Sequence, residues 1–314
     1  MSSGAAFVCS QASSVNASEY KAVLRGVGVG DPVLARRSRP LRDYLTIRDT
    51  WHANCVRISL HPGVWREARR DARASLRQEV GAARGAGMSV VLVWHVIGWP
   101  DGRFEQPRDD WGLPRNVYDS DVGLAVSFWD EIAREYADDP EVIFELWNEP
   151  VDLDEMTEPL NPGRDWARLR PVWEELLGSV RQHAMNRVLV TGGRWAADLT
   201  GIRHARLEGS NIGYAWHVYP PTIDVYPHAI DTSIGYAEWL LDGLHEEESV
   251  FVTEWGFYSN QANLGEAFAR DILDRLNLPW TAWCWHPKWS PALLEKDWAT
   301  PTIAGTLVQR KLAG

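Results

Sequence analysis

Eight short apolar runs, each parted from the next by a longer or more polar stretch, constrain this chain more than any other feature of it. They are Ala22 to Gly30, Cys55 to Leu60, Ser89 to Val96, Val142 to Asn148, Arg187 to Gly192, Ile212 to Tyr219, Ser249 to Trp255 and Trp280 to Trp285. Bounded by turn residues and short for buried helices, they read as strands. Amphipathic segments predict helices over Asp71 to Arg84, Asp121 to Tyr136, Asp165 to His183, Ile234 to His245, Leu264 to Leu276 and Thr302 to Leu312. Several open on a Ser, Thr or Asp able to cap the first turn. After Thr191 only Trp195 to Ala205 is available, so one outer helix is expected to be short.

Strands joined by helices run parallel, and eight β-α units read most naturally as an α/β fold of the (β/α)8 barrel type, in one domain of 314 residues. Residues 1–20 are expected to form a poorly structured N-terminal extension. A doubly wound open sheet is the competing architecture, and it calls for a Gly-x-Gly-x-x-Gly turn after an early strand. Gly26, Gly28 and Gly30 alternate with valines inside a strand-like run and lead into no immediate helix, so they read as a packed first strand. The longest irregular stretches, Gly98 to Asn116 and Val151 to Gly163, each follow a strand, and in a barrel such loops stand on the face that carries active sites.

A net charge of −11 repels phosphate backbones, and no basic run with interleaved aromatics is present, so no nucleic-acid partner is expected. No segment has the length of a transmembrane helix, so no membrane partner is expected. The start of the sequence lacks a basic region and a long apolar core, so no secretory leader is expected; the cytoplasm, or the exterior with a leader already removed, stays open. Cys9, Cys55 and Cys284 have no metal-ligand spacing, and the last two lie in apolar runs where reduced thiols behave as small hydrophobes. Eighteen tryptophans exceed what one core readily absorbs, and indole faces stack on the C–H faces of sugar rings.

Polar residues interrupt the strands near their C-terminal ends: Arg57, His95, Asn148 with Glu149, His217 with Tyr219, Glu254, and beyond them Trp283 and Trp285. Singly, each has a plain structural account: an ion pair for Arg57, hydrogen-bonded core positions for the histidines, packing for the tryptophans, a strand end before Pro150 for Asn148 and Glu149. Together they place two glutamates on strands four and seven, leaning over one barrel mouth. Paired carboxyl groups about 5 to 5.5 Å apart are what retaining glycoside hydrolysis requires. Glu145 reads as a buried hydrogen-bonding support.

The chain resembles glycoside hydrolase family 5, in its cellulase-like members, over nearly its whole length. Asn148-Glu149-Pro150 is similar to the family's acid/base motif and Thr253-Glu254-Trp255-Gly256 to its nucleophile motif. His217-Val218-Tyr219 is similar to the sixth-strand His-x-Tyr, and Trp94-His95 to the third-strand histidine. The resemblance implies that Glu149 is the acid/base and Glu254 the nucleophile, with Arg57 and Tyr219 holding the latter. It further implies that Asn148 reaches the sugar 2-hydroxyl, that His95 and His217 bind hydroxyls or orient the carboxyls, and that Trp283 is the platform at the cleavage site. No cofactor and no metal are expected.

The chain departs from some relatives in having Leu60-His61-Pro62 where an aromatic platform is common, so His61, Trp65 or Trp99 are the expected sugar contacts on that side. Trp111, Trp289 and Trp298 are further aromatics for a groove, with Trp285 beside Trp283. The activity implied is a retaining, endo-acting β-glycoside hydrolase on a β-linked polysaccharide, β-1,4-glucan first and β-mannan second. A metal-dependent hydrolase on the same barrel and a non-catalytic carbohydrate-binding protein are the alternatives from other classes.

Overall fold

A computed structural model describes residues 23–35, 39–103, 117–152, 161–219 and 230–314. The expected extension at 1–20 and Trp111 lie outside the described residues. Eight parallel strands close into a barrel in sequence order, β1 (Arg25–Gly30), β2 (Cys55–Leu60), β3 (Ser89–Trp94), β4 (Val142–Glu145), β5 (Val188–Val190), β6 (Ile212–Val218), β7 (Val250–Trp255) and β8 (Trp280–Ala282). β8 pairs with β1, which leaves no open edge. The strand count and order agree with the sequence reading, and several strands end earlier than the apolar runs do. β4 stops at Glu145, yet Asn148 and Glu149 still donate their backbone N–H groups to Trp94 and Val96, so the chain stays against β3 as it leaves the sheet.

The outer layer comprises α1 (Leu41–Asp49), α2 (Pro62–Gly85), α3 (Val122–Glu135), α4 (Arg164–Arg181), α5 (Gly193–Ala196), α6 (Ile230–Leu241), α7 (Ala262–Phe268) and α8 (Ile303–Ala313). Two caps foreseen in the sequence form as expected: Asp121 accepts from the Gly123 and Leu124 N–H groups, and Thr302 from that of Gly305. Helix α1 adds to the sequence reading. Its Tyr44 and Ile47 are buried at helical spacing. Helix α2 starts nine residues before the predicted Asp71, with Pro62 in its first turn and a non-helical break at Ala68, so the apolar periodicity recovers only the part beyond the break. The link after β5 is indeed short, with α5 spanning four residues.

Inside the barrel, Leu24, Cys55, Val91, Ile143, Leu189, Ala215 and Phe251 form one apolar level. A larger cluster fills the space between sheet and helices, and Trp51, Trp94, Trp129, Trp147, Trp173, Trp216 and Trp280 are all fully buried. Much of the tryptophan excess is therefore core. The alternating glycines of β1 have a packing reason. A Cβ on Gly28 would stand 3.1 Å from the Trp283 ring, and one on Gly30, whose φ is +72°, would fall inside the Trp289 ring. Two indoles lie against that strand because it carries no side chains there.

Candidate active site

Two residues above the apolar level, the same strands carry Arg57, Glu145, Thr191, His217 and Thr253, each buried. Burying charges costs several kcal/mol per ion unless partners are supplied, and here they are. Arg57 Nε donates to Glu145 Oε2 at 2.6 Å, Nη2 to Glu145 Oε1 at 2.9 Å and to Asn148 Oδ1 at 2.7 Å, while Nη1 donates to Glu254 Oε1. Thr253 Oγ donates to Glu145 Oε1 at 3.0 Å. Burial favours a neutral Glu145, but Arg57 and His217 outweigh it and hold its carboxyl below the usual range.

Glu254 reaches this network because β7 is irregular. Register against β6 shifts between Trp216 and His217, which pairs His217 with Glu254 and leaves Thr253 extra. A bulge of this kind lets two successive residues face inward, where a regular strand would send them to opposite sides. Tyr219 Oη donates to Glu254 Oε2 at 2.7 Å, so each oxygen of that carboxylate has a donor.

Glu149 faces Glu254 across the mouth. His217 Nδ1 lies 2.9 Å from Glu149 Oε1 and 3.9 Å from Glu254 Oε2, and one oxygen of each carboxylate together with this nitrogen lies within 4.8 Å of the others. Burial raises the Glu149 pKa and the Glu254 charge adds to it, against the pull of His217. Burial works against charge on His217, but Glu254, Glu145 and Glu149 outweigh it and push its pKa up to about 9. Burial also pushes His95 well below its ordinary value, with His61 and Arg57 adding to the effect. His95 is therefore a neutral ring, stacked on Trp283 with centroids 5.2 Å apart and planes 8° from parallel.

Glu149, His217 and Glu254 form the one group among the described residues with donor atoms close enough to hold a metal ion. Glu149 keeps 13% of its side-chain surface and Glu254 7%, which leaves the former better placed to meet water. The pair opens into a cavity of about 850 Å³ lined by Asn148, Tyr219, Trp283 and Trp289, with His61 and His95 on one wall and Trp195 and Tyr258 also on its surface.

The family model for cellulase (glycosyl hydrolase family 5) matches residues 15–289. The chain belongs to that family. Among curated members it is 24% identical over 276 residues to endoglucanase A of Evansella cellulosilytica, covering 85% of this chain and 50% of that protein. It is 26% identical over 231 residues to endoglucanase A of Butyrivibrio fibrisolvens, covering 70% and 45% respectively. The chain thus spans about half the length of the curated relatives it matches. A β-glucanase from Saccharophagus degradans has a similar structure, with a TM-score of 0.80 at 23% identity over 93% of this chain and 88% of that one. So does the catalytic domain of a Thermobifida fusca endoglucanase, with a TM-score of 0.74 at 20% identity over 93% and 92%.

Within this family 5 barrel, Glu149, Glu254, Arg57, Asn148, His217 and Tyr219 converge at one place. His95, His61, Trp283 and Trp289 line the same cavity. Four expected aromatic contacts are corrected. Trp285 is buried in the core, because β8 ends at Ala282 and the strand alternation that would pair it with Trp283 does not continue. Trp99 is buried under the Arg168 guanidinium, 4.1 Å above its ring, and is not among the cavity-lining residues. Trp65 packs edge-on to Phe128 and donates to Ser127 Oγ at 3.0 Å. Trp298 packs against His286, outside the lining. The sequence reading missed Tyr118, Trp195 and Tyr258, which line the cavity from outside the strands and carry no strand-end signal.

Proposed function

We propose that the chain is a retaining, endo-acting β-1,4-glucanase. The observation that carries this reading is the spacing of the two carboxylates, with oxygens within 4.8 Å of one another, which matches the close pair of retaining enzymes and not the roughly 6.5 to 9.5 Å gap that houses a water in inverting ones. The relatives' names support glucan as substrate, and a cellotetraose complex of the Saccharophagus β-glucanase supports a β-linked oligosaccharide in the cleft. Aromatic residues at Trp289 and Trp195 extend the lining beyond the reacting pair.

Glu149, its pKa raised, gives its proton to the glycosidic oxygen as the C–O bond breaks. Glu254, held by Arg57 and Tyr219, attacks the anomeric carbon and forms the glycosyl-enzyme. Glu149 then takes a proton from water, whose oxygen attacks the same carbon and releases Glu254. Asn148 turns its oxygen to Arg57, so its Nδ2 is the donor left for the sugar 2-hydroxyl, a contact that strengthens in the transition state. His217 orients the carboxyls, and Trp283 stacks under the reacting ring.

Glu149→Gln and Glu254→Gln are each expected to lower release of reducing sugar from carboxymethylcellulose by about 10²-fold or more, while leaving cellotetraose binding measurable. NMR of fresh product should show the β-anomer first. Release of the α-anomer, or wild-type rates in either variant, would sink the mechanism. Full turnover in excess chelator is expected, since no step above uses a metal at the Glu149, His217 and Glu254 cluster.

A further inference from the structure

Three residues outside the catalytic site form a second buried polar cluster, and none of the steps above uses them. Arg39 comes from the segment between β1 and α1, Tyr44 from α1 and Glu79 from α2, and each is at most 1% exposed. Glu79 Oε1 accepts from the Arg39 backbone N–H at 2.6 Å, and Oε2 accepts from Arg39 Nη1 at 2.7 Å and from the Tyr44 hydroxyl. Burying an ion pair costs desolvation energy, and apolar residues of similar volume often fill such a space at least as well. The guanidinium makes one further bond that an apolar residue could not. Its Nη2 donates to the backbone carbonyl of Val29 in β1.

That carbonyl sits at an irregularity. Register between β1 and β2 shifts between Gly28 and Gly30, which leaves Val29 without a partner residue in β2. Arginine suits the place, because its planar fork serves a carboxylate with one nitrogen and a carbonyl with another. The glycines on either side of Val29 are the two that carry the indoles of the cavity wall, Gly28 against Trp283 and Gly30 against Trp289. The Gly28 carbonyl also accepts from the Trp285 backbone N–H at 2.8 Å. Successive carbonyls of β1 therefore bind the loop that bears both indoles and then the Arg39 guanidinium. Trp283 and Trp289 line the cavity with centroids 6.2 Å apart and planes 11° from parallel. The bonds of Arg39 lead to this wall, whereas Glu254 is held by Arg57 and Tyr219.

We propose that Arg39 is a positioning residue for the sugar-binding wall: through the Val29 carbonyl it fixes the end of β1 against which Trp283 and Trp289 lie. This rests on the β-glucanase reading above. Glu79 and Tyr44 keep the guanidinium buried and aimed at β1. Because a different arginine holds the nucleophile, loss of Arg39 weakens sugar binding and spares bond breaking. Binding that is equal in ground and transition states belongs in KM.

The test uses the full chain labelled with ¹⁵N at the indole nitrogens. Arg39→Met combined with Glu79→Gln removes both buried charges at once, keeps an acceptor for Tyr44 and leaves the Val29 carbonyl without its donor. The control is Ile47→Ala, which opens a cavity in the buried face of α1 and so destabilises the same region without touching these bonds. In the double variant the indole N–H signals of Trp283 and Trp289, assigned with Trp283→Phe and Trp289→Phe, should move or broaden. Those of Trp129 and Trp173, which donate to the Leu146 and Thr191 carbonyls, should stay in place. With cellotetraose as substrate, KM should rise by about threefold to tenfold, the worth of a weakened aromatic contact, with kcat within about twofold. Ile47→Ala should leave the four signals and KM unchanged.

Unmoved Trp283 and Trp289 signals, an unchanged KM in the double variant, or an equal rise of KM in Ile47→Ala would each overturn the assignment. Should the double variant fail to fold, Arg39→Lys keeps the charge beside Glu79, and its one nitrogen cannot take the places of Nη1 and Nη2 together, so it carries the same expectations. A wild type that cleaves no β-glucan would overturn the functional reading, while the indole signals still decide what Arg39 holds.

Discussion

Two levels of the same barrel, one residue pair apart, differ in almost every physical respect. Cys55, Val91, Ile143, Leu189, Ala215 and Phe251 fill the lower level with apolar side chains. Arg57, Val93, Glu145, Thr191, His217 and Thr253 stand two residues further along the same strands, equally buried, and only one of them is apolar. Closing the barrel requires nothing of this second level beyond filled volume. Polar and charged groups are retained there at a desolvation cost, offset by a hydrogen-bond network whose upper end is Glu254. The lower level holds the fold; the upper level holds a carboxylate in place.

Arg57→Met should produce the largest break in this contrast. It removes the donors to Glu145, Asn148 and Glu254 at once, leaving two carboxylates buried without their cation. A loss of about 3 to 5 kcal/mol in denaturant unfolding is expected, and a fall of about 10² to 10³ in kcat/KM even at temperatures where the variant stays folded. Ile143→Ala, two residues before Glu145, is the counterpart in the apolar level. It should cost about 2 to 5 kcal/mol of stability through the cavity it leaves, with kcat per folded molecule unchanged. Equal losses of activity in the two variants would erase the distinction between the levels.

His217→Asn sharpens the contrast through pH. The charged ring lowers the Glu149 pKa, so removing it lets that pKa rise and moves the alkaline limb of kcat/KM to higher pH. A limb displaced to lower pH would contradict the geometry. Stability changes as well. The folded-state pKa of His217, about 9, lies above its unfolded value of about 6.5, so its contribution is fully present below the latter and lost as pH rises through the former. The fall in Tm of the wild type between those two pH values should shrink in the variant.

Much of both levels was legible in the sequence, because strand count and strand-end polarity depend on local pattern alone. Glu149 and Glu254 are visible as carboxylates at the ends of apolar runs, and Glu145 as a buried support. What escaped depends on departures from period two. The bulge that turns both Thr253 and Glu254 inward has no signature in Ser-Val-Phe-Val-Thr-Glu-Trp, and the early end of β8 separates Trp283 from Trp285 although they are two residues apart. Trp99 and Trp65 illustrate a different limit. Loop and helix-start aromatics read as candidate platforms, and only the packing of Arg168 and Phe128 against them shows that they are covered.

The smallest effect asks whether the upper level acts as a network or merely as a layer of polar residues. Thr253→Val removes one donor to Glu145, whose remaining bonds to Arg57 persist. The cost should be about 1 kcal/mol, and if it reaches the transition state in full it is worth roughly fivefold in kcat/KM. Thr191→Val is the matched control at the same level, where the hydroxyl donates to the Ala215 carbonyl at 3.0 Å and not to Glu145. It should lose similar stability and keep kcat/KM. If both variants lose activity alike, burial depth matters and connection to Arg57 does not. If only Thr253→Val does, the route from Thr253 through Glu145 and Arg57 to Glu254 is what the polar level is for.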